Sequence, residues 1–143
     1  MRIKYPRTLH LPWSPGVSSD DRVLHDLSCF TNKEVVVTTK MDGENTTLYA
    51  DGFHARSIDG RHHSSRDWLA NWHANIAHNI PPGWRVCGEN LFARHSIEYT
   101  ELPSYFQGFS IWDEHNRALG WDETITWFEL LGVIPVPVIW RGV

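Results

Sequence analysis

An α+β fold, with mixed but mainly antiparallel β-sheets and flanking helices, is what this 143-residue sequence predicts. Three observations carry the prediction. Val35-Val36-Val37-Thr38-Thr39 is a β-branched run that reads as a buried strand. Asp51-Gly52 is a tight-turn dipeptide between extended stretches 46–50 and 53–56, which makes a hairpin. Trp68, Leu69, Trp72, Ile76 and Ile80 recur at helical spacing until Pro81-Pro82-Gly83 stops them.

Taken in order, residues 6–17 carry Pro6, Pro12, Pro15 and Gly16 around Leu11 and Trp13, so they predict an irregular arm. Ser18-Ser19-Asp20-Asp21 offers an N-cap and an acidic first turn for a short helix with Val23, Leu24 and Leu27 on one face. The strand at 35–39, its partner and the hairpin then form a meander. Ser64-Ser65-Arg66-Asp67 opens the longest helix, whose Trp residues at i, i+4 read most simply as core. Further strands follow at 85–92 and 105–113, with Glu114-His115-Asn116-Arg117 as a turn. Asp122 caps a last helix with Ile125, Phe128 and Leu131 inward and Gly132 at its end. Pro135 and Pro137 place the segment 133–138 at a sheet edge.

This length suits one domain over residues 1–143, with a hydrophobic content of 41% to build its core. Aromatics make up 13%, eight of them Trp, which suits flat-ring recognition of bases or sugars as well as packing. The net charge of −4 excludes a bulk basic field for holding polynucleotide, so any such contact is local. No two of the nine His form a recognisable metal spacing. Cys29 and Cys87 are too few for a disulfide framework, the N-terminus lacks a signal-peptide core, and no run reaches membrane-spanning length. A cytoplasmic protein is expected.

The chemistry centres on Lys40-Met41-Asp42-Gly43-Glu44-Asn45, between the first two strands. A cation beside a carboxylate, a glycine and an amide at a strand end is by itself most simply a solvated turn. Arg56 ends another strand, Glu89 lies late in a third and Phe109 sits within a fourth. A β-rich domain could bring the four to one cleft, facing a nucleotide.

Here the sequence resembles the ATP-dependent RNA ligases, within the covalent nucleotidyltransferases that include DNA ligases and mRNA capping enzymes. Lys40 to Asn45 matches the nucleophile motif: lysine, any, aspartate or histidine, glycine, any, asparagine. Arg56-Ser57, Gly88-Glu89-Asn90-Leu91-Phe92-Ala93-Arg94-His95-Ser96-Ile97 and Phe106-Gln107-Gly108-Phe109-Ser110-Ile111-Trp112-Asp113 follow in the family's order, covering roughly residues 34–113. Four ordered blocks outweigh the solvated-turn reading.

The resemblance implies part of a nucleotidyltransferase adenylation domain, ATP and magnesium as cofactors, and RNA 5′-phosphate and 3′-hydroxyl ends as partners. Lys40 would be the catalytic nucleophile. Thr38, Thr39, Lys40, Met41, Asn45, Arg56, Glu89 and Phe109 would contact ATP or AMP. In that set, backbone groups near Thr38 and Thr39 would read the adenine edge, Arg56 the ribose and phosphate, and Glu89 a ribose hydroxyl, while Phe109 would stack on adenine. Asp42 and Gly43 would support the turn, and Glu89 would also help place a metal. His95, Arg94, His62 and Arg61 are further groups within the chemistry of RNA or phosphate.

The family's later blocks, glutamate-glycine-any-valine and a lysine pair on the ATP phosphates, have no counterpart here. The lysines are Lys4, Lys33 and Lys40 alone. A truncated ligase is therefore expected, with an unfinished sheet edge open to self-association. DNA ligase, capping guanylyltransferase, non-catalytic nucleotide or RNA binding, and an ordinary interaction domain are the alternatives.

Overall fold

The structure, a computed structural model, describes residues 1–58, 63–93, 95 and 97–143. The described chain runs through β1 (Val35–Thr38), β2 (Glu44–Tyr49), β3 (Gly52–Ala55), α1 (Asp67–Ile76), β4 (Arg85–Asn90), β5 (Phe106–Trp112), α2 (Trp121–Leu131), β6 (Ile134–Pro135) and β7 (Val138–Gly142). These fall into two compact units, residues 1–5 with 39–137, and residues 6–38 with 138–143.

The larger unit is a five-stranded sheet in the order β3-β2-β4-β5-β6. Its first four strands pair antiparallel, with Tyr49 opposite Gly52 at the hairpin, and β6 joins β5 in parallel. The fold class is thus α+β with mixed, mostly antiparallel sheets, as the sequence predicts. Directly opposite residues share a face of the sheet, so register assigns the faces. Phe53, Leu48, Val86 and Ile111 form one cross-strand row. Leu48, Val86 and Ile111 are buried with Leu69 and Ile76 of α1 and Phe128 and Leu131 of α2. This is the main core, and both helices contribute to it.

Helix α1 starts at Asp67, after a 3-10 turn at Ser64–Arg66 in which the His63 side chain accepts the Ser65 N–H. Its tryptophans are half-buried, Trp68 stacking on Trp72 at 5.7 Å and Trp72 meeting Phe106 at 5.1 Å. Helix α2 ends as predicted at Gly132, whose φ of 80° is a left-handed conformation that costs glycine little. Its start differs. Gly120 is the cap, accepting the Thr124 N–H at 2.9 Å, and Asp122 falls in the first turn, where its charge suits the helix dipole.

In the smaller unit β1 pairs antiparallel with β7, its one partner strand among the described residues, and Val37 is 44% exposed. The buried strand predicted at 35–39 is therefore a half-exposed one, because its apolar composition serves a two-stranded sheet. The short helix predicted after Ser18 does not form. Asp21 Oδ2 accepts the Ser18 N–H and hydroxyl, at 2.9 and 3.1 Å. The His10 N–H donates to the Arg22 carbonyl at 2.8 Å, and the His10 carbonyl accepts the Leu24 N–H at 2.7 Å. Side-chain and bridge partners outcompete the helix there.

Candidate functional site

Alternation along β2 sends neighbouring residues of the Lys40 motif to opposite faces of the sheet. Glu44 turns toward the helices, where it meets Arg66 Nε and Nη2, both at 2.8 Å. That two-pronged bond holds the Glu44 carboxyl below its ordinary range. Asn45 turns the other way. It stands opposite Glu89 on β4, which stands opposite Gln107 on β5. Thr47, Cys87 and Ser110 form the next row on the same face. The sheet therefore has an apolar side under the helices and a polar side bearing Asn45, Glu89 and Gln107.

The turn that delivers Lys40 is pressed onto β4. A Cβ on Gly43 would lie 2.5 Å from the Asn90 carbonyl oxygen and 2.8 Å from Leu91 Cδ2. Only glycine allows that approach. It lets the Gly43 N–H donate to Glu89 Oε1 at 3.3 Å. Burial raises the Glu89 carboxyl above its usual range, opposed by the Gly43 N–H and by the charges of Lys40 and His95. Lys40 itself is exposed. Met41, 7% exposed, packs with Leu91 and Val136 in a second apolar cluster that Phe109, Tyr99 and Leu102 complete.

Most sequence-predicted site residues meet in the larger unit. Met41, Asp42, Gly43, Asn45 and Glu89 surround the turn, and Phe109 reaches it through the Met41 cluster. Phe109 falls where the β4–β5 register shifts, and Tyr5 meets its ring edge-on at 5.2 Å. Arg56 is exposed just past the end of β3, the end that lies beside the start of β2. Thr39 donates its N–H to the Pro137 carbonyl at 2.9 Å, and Thr38 belongs to β1 in the smaller unit. Arg61, His62 and Arg94 lie outside the described residues. His95 is exposed and near enough to Glu44 and Glu89 for a positive ring there to favour both carboxylates, though burial still leaves Glu89 raised.

Sequence reasoning missed several neighbours. Tyr99 Oη accepts the Asp42 N–H and Asp42 Oδ2 accepts the Ile97 N–H, each at 2.8 Å. Gln107 is 2% exposed, and its Oε1, like Asn45 Oδ1, is enclosed with no hydrogen-bond partner among the described residues. The one available signal was Gln107's place two residues before Phe109, on the polar side of the strand.

No three His, Cys, Asp or Glu side chains among the described residues are grouped to hold a metal ion. Glu89 with Asp42 nearby offers at most a partial donor set, of the kind that carries magnesium only alongside substrate phosphates. These residues do not make a resident metal site. No helix among the described residues is long and apolar enough to cross a membrane.

A family model described as RNA ligase matches residues 33–143. Among solved structures, one titled as an archaeal ATP-dependent RNA ligase, form 1, matches with a TM-score of 0.57 and 21% identity over 76% of this chain. The match covers 32% of that structure's chain, so this chain spans about a third of it. No curated protein sequence matches.

Proposed function

Because this chain belongs to the RNA ligase family, we propose that it carries the nucleotide-activation chemistry of an ATP-dependent RNA ligase, with Lys40 as the nucleophile. The neutral Lys40 amine attacks the α-phosphorus of ATP. A phosphorus–nitrogen bond forms, the bond to the β-phosphate oxygen breaks, pyrophosphate leaves, and the amine gives a proton to solvent. The lysyl-adenylate then loses AMP to an oxygen of an RNA 5′-phosphate. A 3′-hydroxyl attacks that phosphate, AMP departs, and the phosphodiester closes.

The observation that supports this most directly is the seating of the Lys40 turn against Glu89 through Gly43. In this reading Glu89 accepts a ribose hydroxyl, Phe109 stacks on adenine and Asn45 orients the turn. Arg56 contacts phosphate. With its N–H bound to Pro137, Thr39 has a carbonyl left for the adenine edge. Lys40 is exposed, so its amine is desolvated by the bound nucleotide and not by burial in the chain. Magnesium accompanies ATP in this reading. Two free cysteines suit a reducing, cytoplasmic setting, and the sheet edges are where a second copy would pair.

Since no lysine follows Lys40, the phosphate-clamping pair is missing from this chain, and the expected self-adenylation is weak or absent. Incubation with α-labelled ATP and magnesium tests the proposal. Covalent label that disappears in Lys40→Ala supports it. Label that survives Lys40→Ala, or a wild-type chain that neither binds ATP nor takes label, overturns it.

A further inference from the structure

The amide hydrogens of Asp42 and Gly43 both go to side chains of later segments, Tyr99 and Glu89. Asp42 is gripped twice by one short stretch. Its N–H donates to Tyr99 Oη and its carboxylate accepts the Ile97 N–H, both at 2.8 Å. The same stretch makes apolar contact, since Tyr99 and Leu102 pack on the cluster of Met41, Leu91 and Val136. Lys40 thus precedes a buried methionine and an aspartate held by a partner 57 residues away.

We propose that Tyr99 is a positioning residue for Lys40, fixing through the Asp42 amide the direction in which the lysine side chain leaves its turn. The proposal rests on the ligase reading for its purpose and on hydrogen-bond geometry for its substance. A turn held by side chains is aimed by them. Removing the Tyr99 hydroxyl leaves a half-buried N–H without its acceptor, and the turn moves to find another. A displacement of about 1 Å at a reacting group costs on the order of a hundredfold in rate, even when ground-state binding is intact.

Tyr99→Phe removes the hydroxyl and keeps the ring against Met41, so it tests the polar grip alone. By NMR, hydrogen exchange at the Asp42 amide should speed up about tenfold while exchange at Gly43 holds. The chain has three lysines, so methyl-labelling them gives few signals. The Lys40 signal should shift in Tyr99→Phe, and those of Lys4 and Lys33 should stay. Adenylate formation at saturating ATP should fall about tenfold or more, with the KM for ATP unchanged within about twofold.

An unaltered Asp42 exchange rate or an unmoved Lys40 signal overturns the proposal. So does an unchanged adenylation rate, or a KM that rises while the rate holds. A wild-type chain that neither binds ATP nor forms an adduct counts against the ligase reading, and the two NMR measurements still decide the role of Tyr99.

Discussion

Arg66 grips both carboxylate oxygens of Glu44, and Glu44 is the residue that follows the Gly43 turn. The pair is mostly enclosed, its side chains 17% and 28% exposed, so solvent screens it less than a surface pair. It anchors the helix-side flank of the turn that presents Lys40. Arg66→Ala should cost about 1–3 kcal/mol in denaturant unfolding at pH 7. The Glu44 carboxyl is held below its ordinary 4.5, so its contribution is present above that value and is lost as pH falls through the folded pKa. The gap between wild type and Arg66→Ala should therefore narrow on acidification below about 4.5. A gap constant down to pH 3 would remove the ion pair as its cause.

Gly43→Ala is predicted to be far more damaging than its size suggests. The new methyl would have to occupy space within 2.5 Å of a backbone oxygen, which a rotamer change cannot relieve. Overpacking of this kind costs about 1–3 kcal/mol and lifts the turn off β4. Loss of the Gly43 bond to Glu89 should accompany it, so covalent labelling by ATP should fall further than the melting temperature alone accounts for. Equal stability in the two proteins would show that β4 gives way freely.

How far the sequence reveals this site depends on whether its signals are local. The Lys40 block, the Asp51-Gly52 hairpin and the Gly132 stop are all written within a few residues; the stop falls where the pattern places it, while the hairpin turns one residue earlier, at Ala50-Asp51, and β2 starts two residues earlier, at Glu44. Register then brings Asn45 to Glu89, a meeting that no spacing within either strand encodes. The Tyr99 hydroxyl on the Asp42 amide and Arg66 on Glu44 are likewise contacts across 57 and 22 residues. The predicted helix at Ser18 failed for the converse reason. Its capping signal was real, but Asp21 spent its carboxylate on Ser18 and His10 claimed the backbone of residues 22–24.

The two cysteines should separate cleanly by reactivity. Cys29 is exposed, whereas burial pushes the Cys87 thiol up to about 11, between Thr47 and Ser110 on the polar face. At pH 8 only the thiolate reacts, so a disulfide reagent should modify Cys29 rapidly and Cys87 only after unfolding. Titration in buffer and again in guanidinium checks this. Fast native modification of Cys87 would mean that the sheet opens along this row.

Glu89 should show opposite effects on stability and on nucleotide binding. Burial raises its folded pKa above the ordinary 4.5, the Gly43 N–H and the Lys40 charge only partly offsetting it. A raised carboxyl contributes stability that is complete below the unfolded value and is lost as pH climbs through the folded one. The ionised carboxylate is thus a net burden on the fold at pH 7, and the charge-free Glu89→Gln should melt higher there. That advantage should shrink as pH falls through the raised folded pKa and the wild-type group takes up its proton. An amide oxygen can still accept the Gly43 N–H, so the turn keeps its seat. Binding should move the other way, because a carboxylate accepts from a ribose hydroxyl more strongly than an amide does, and calorimetry should find ATP held about tenfold more weakly. A Glu89→Gln protein that is both less stable at pH 7 and unimpaired in binding would make Glu89 a structural carboxylate of β4 and move the ribose contact elsewhere.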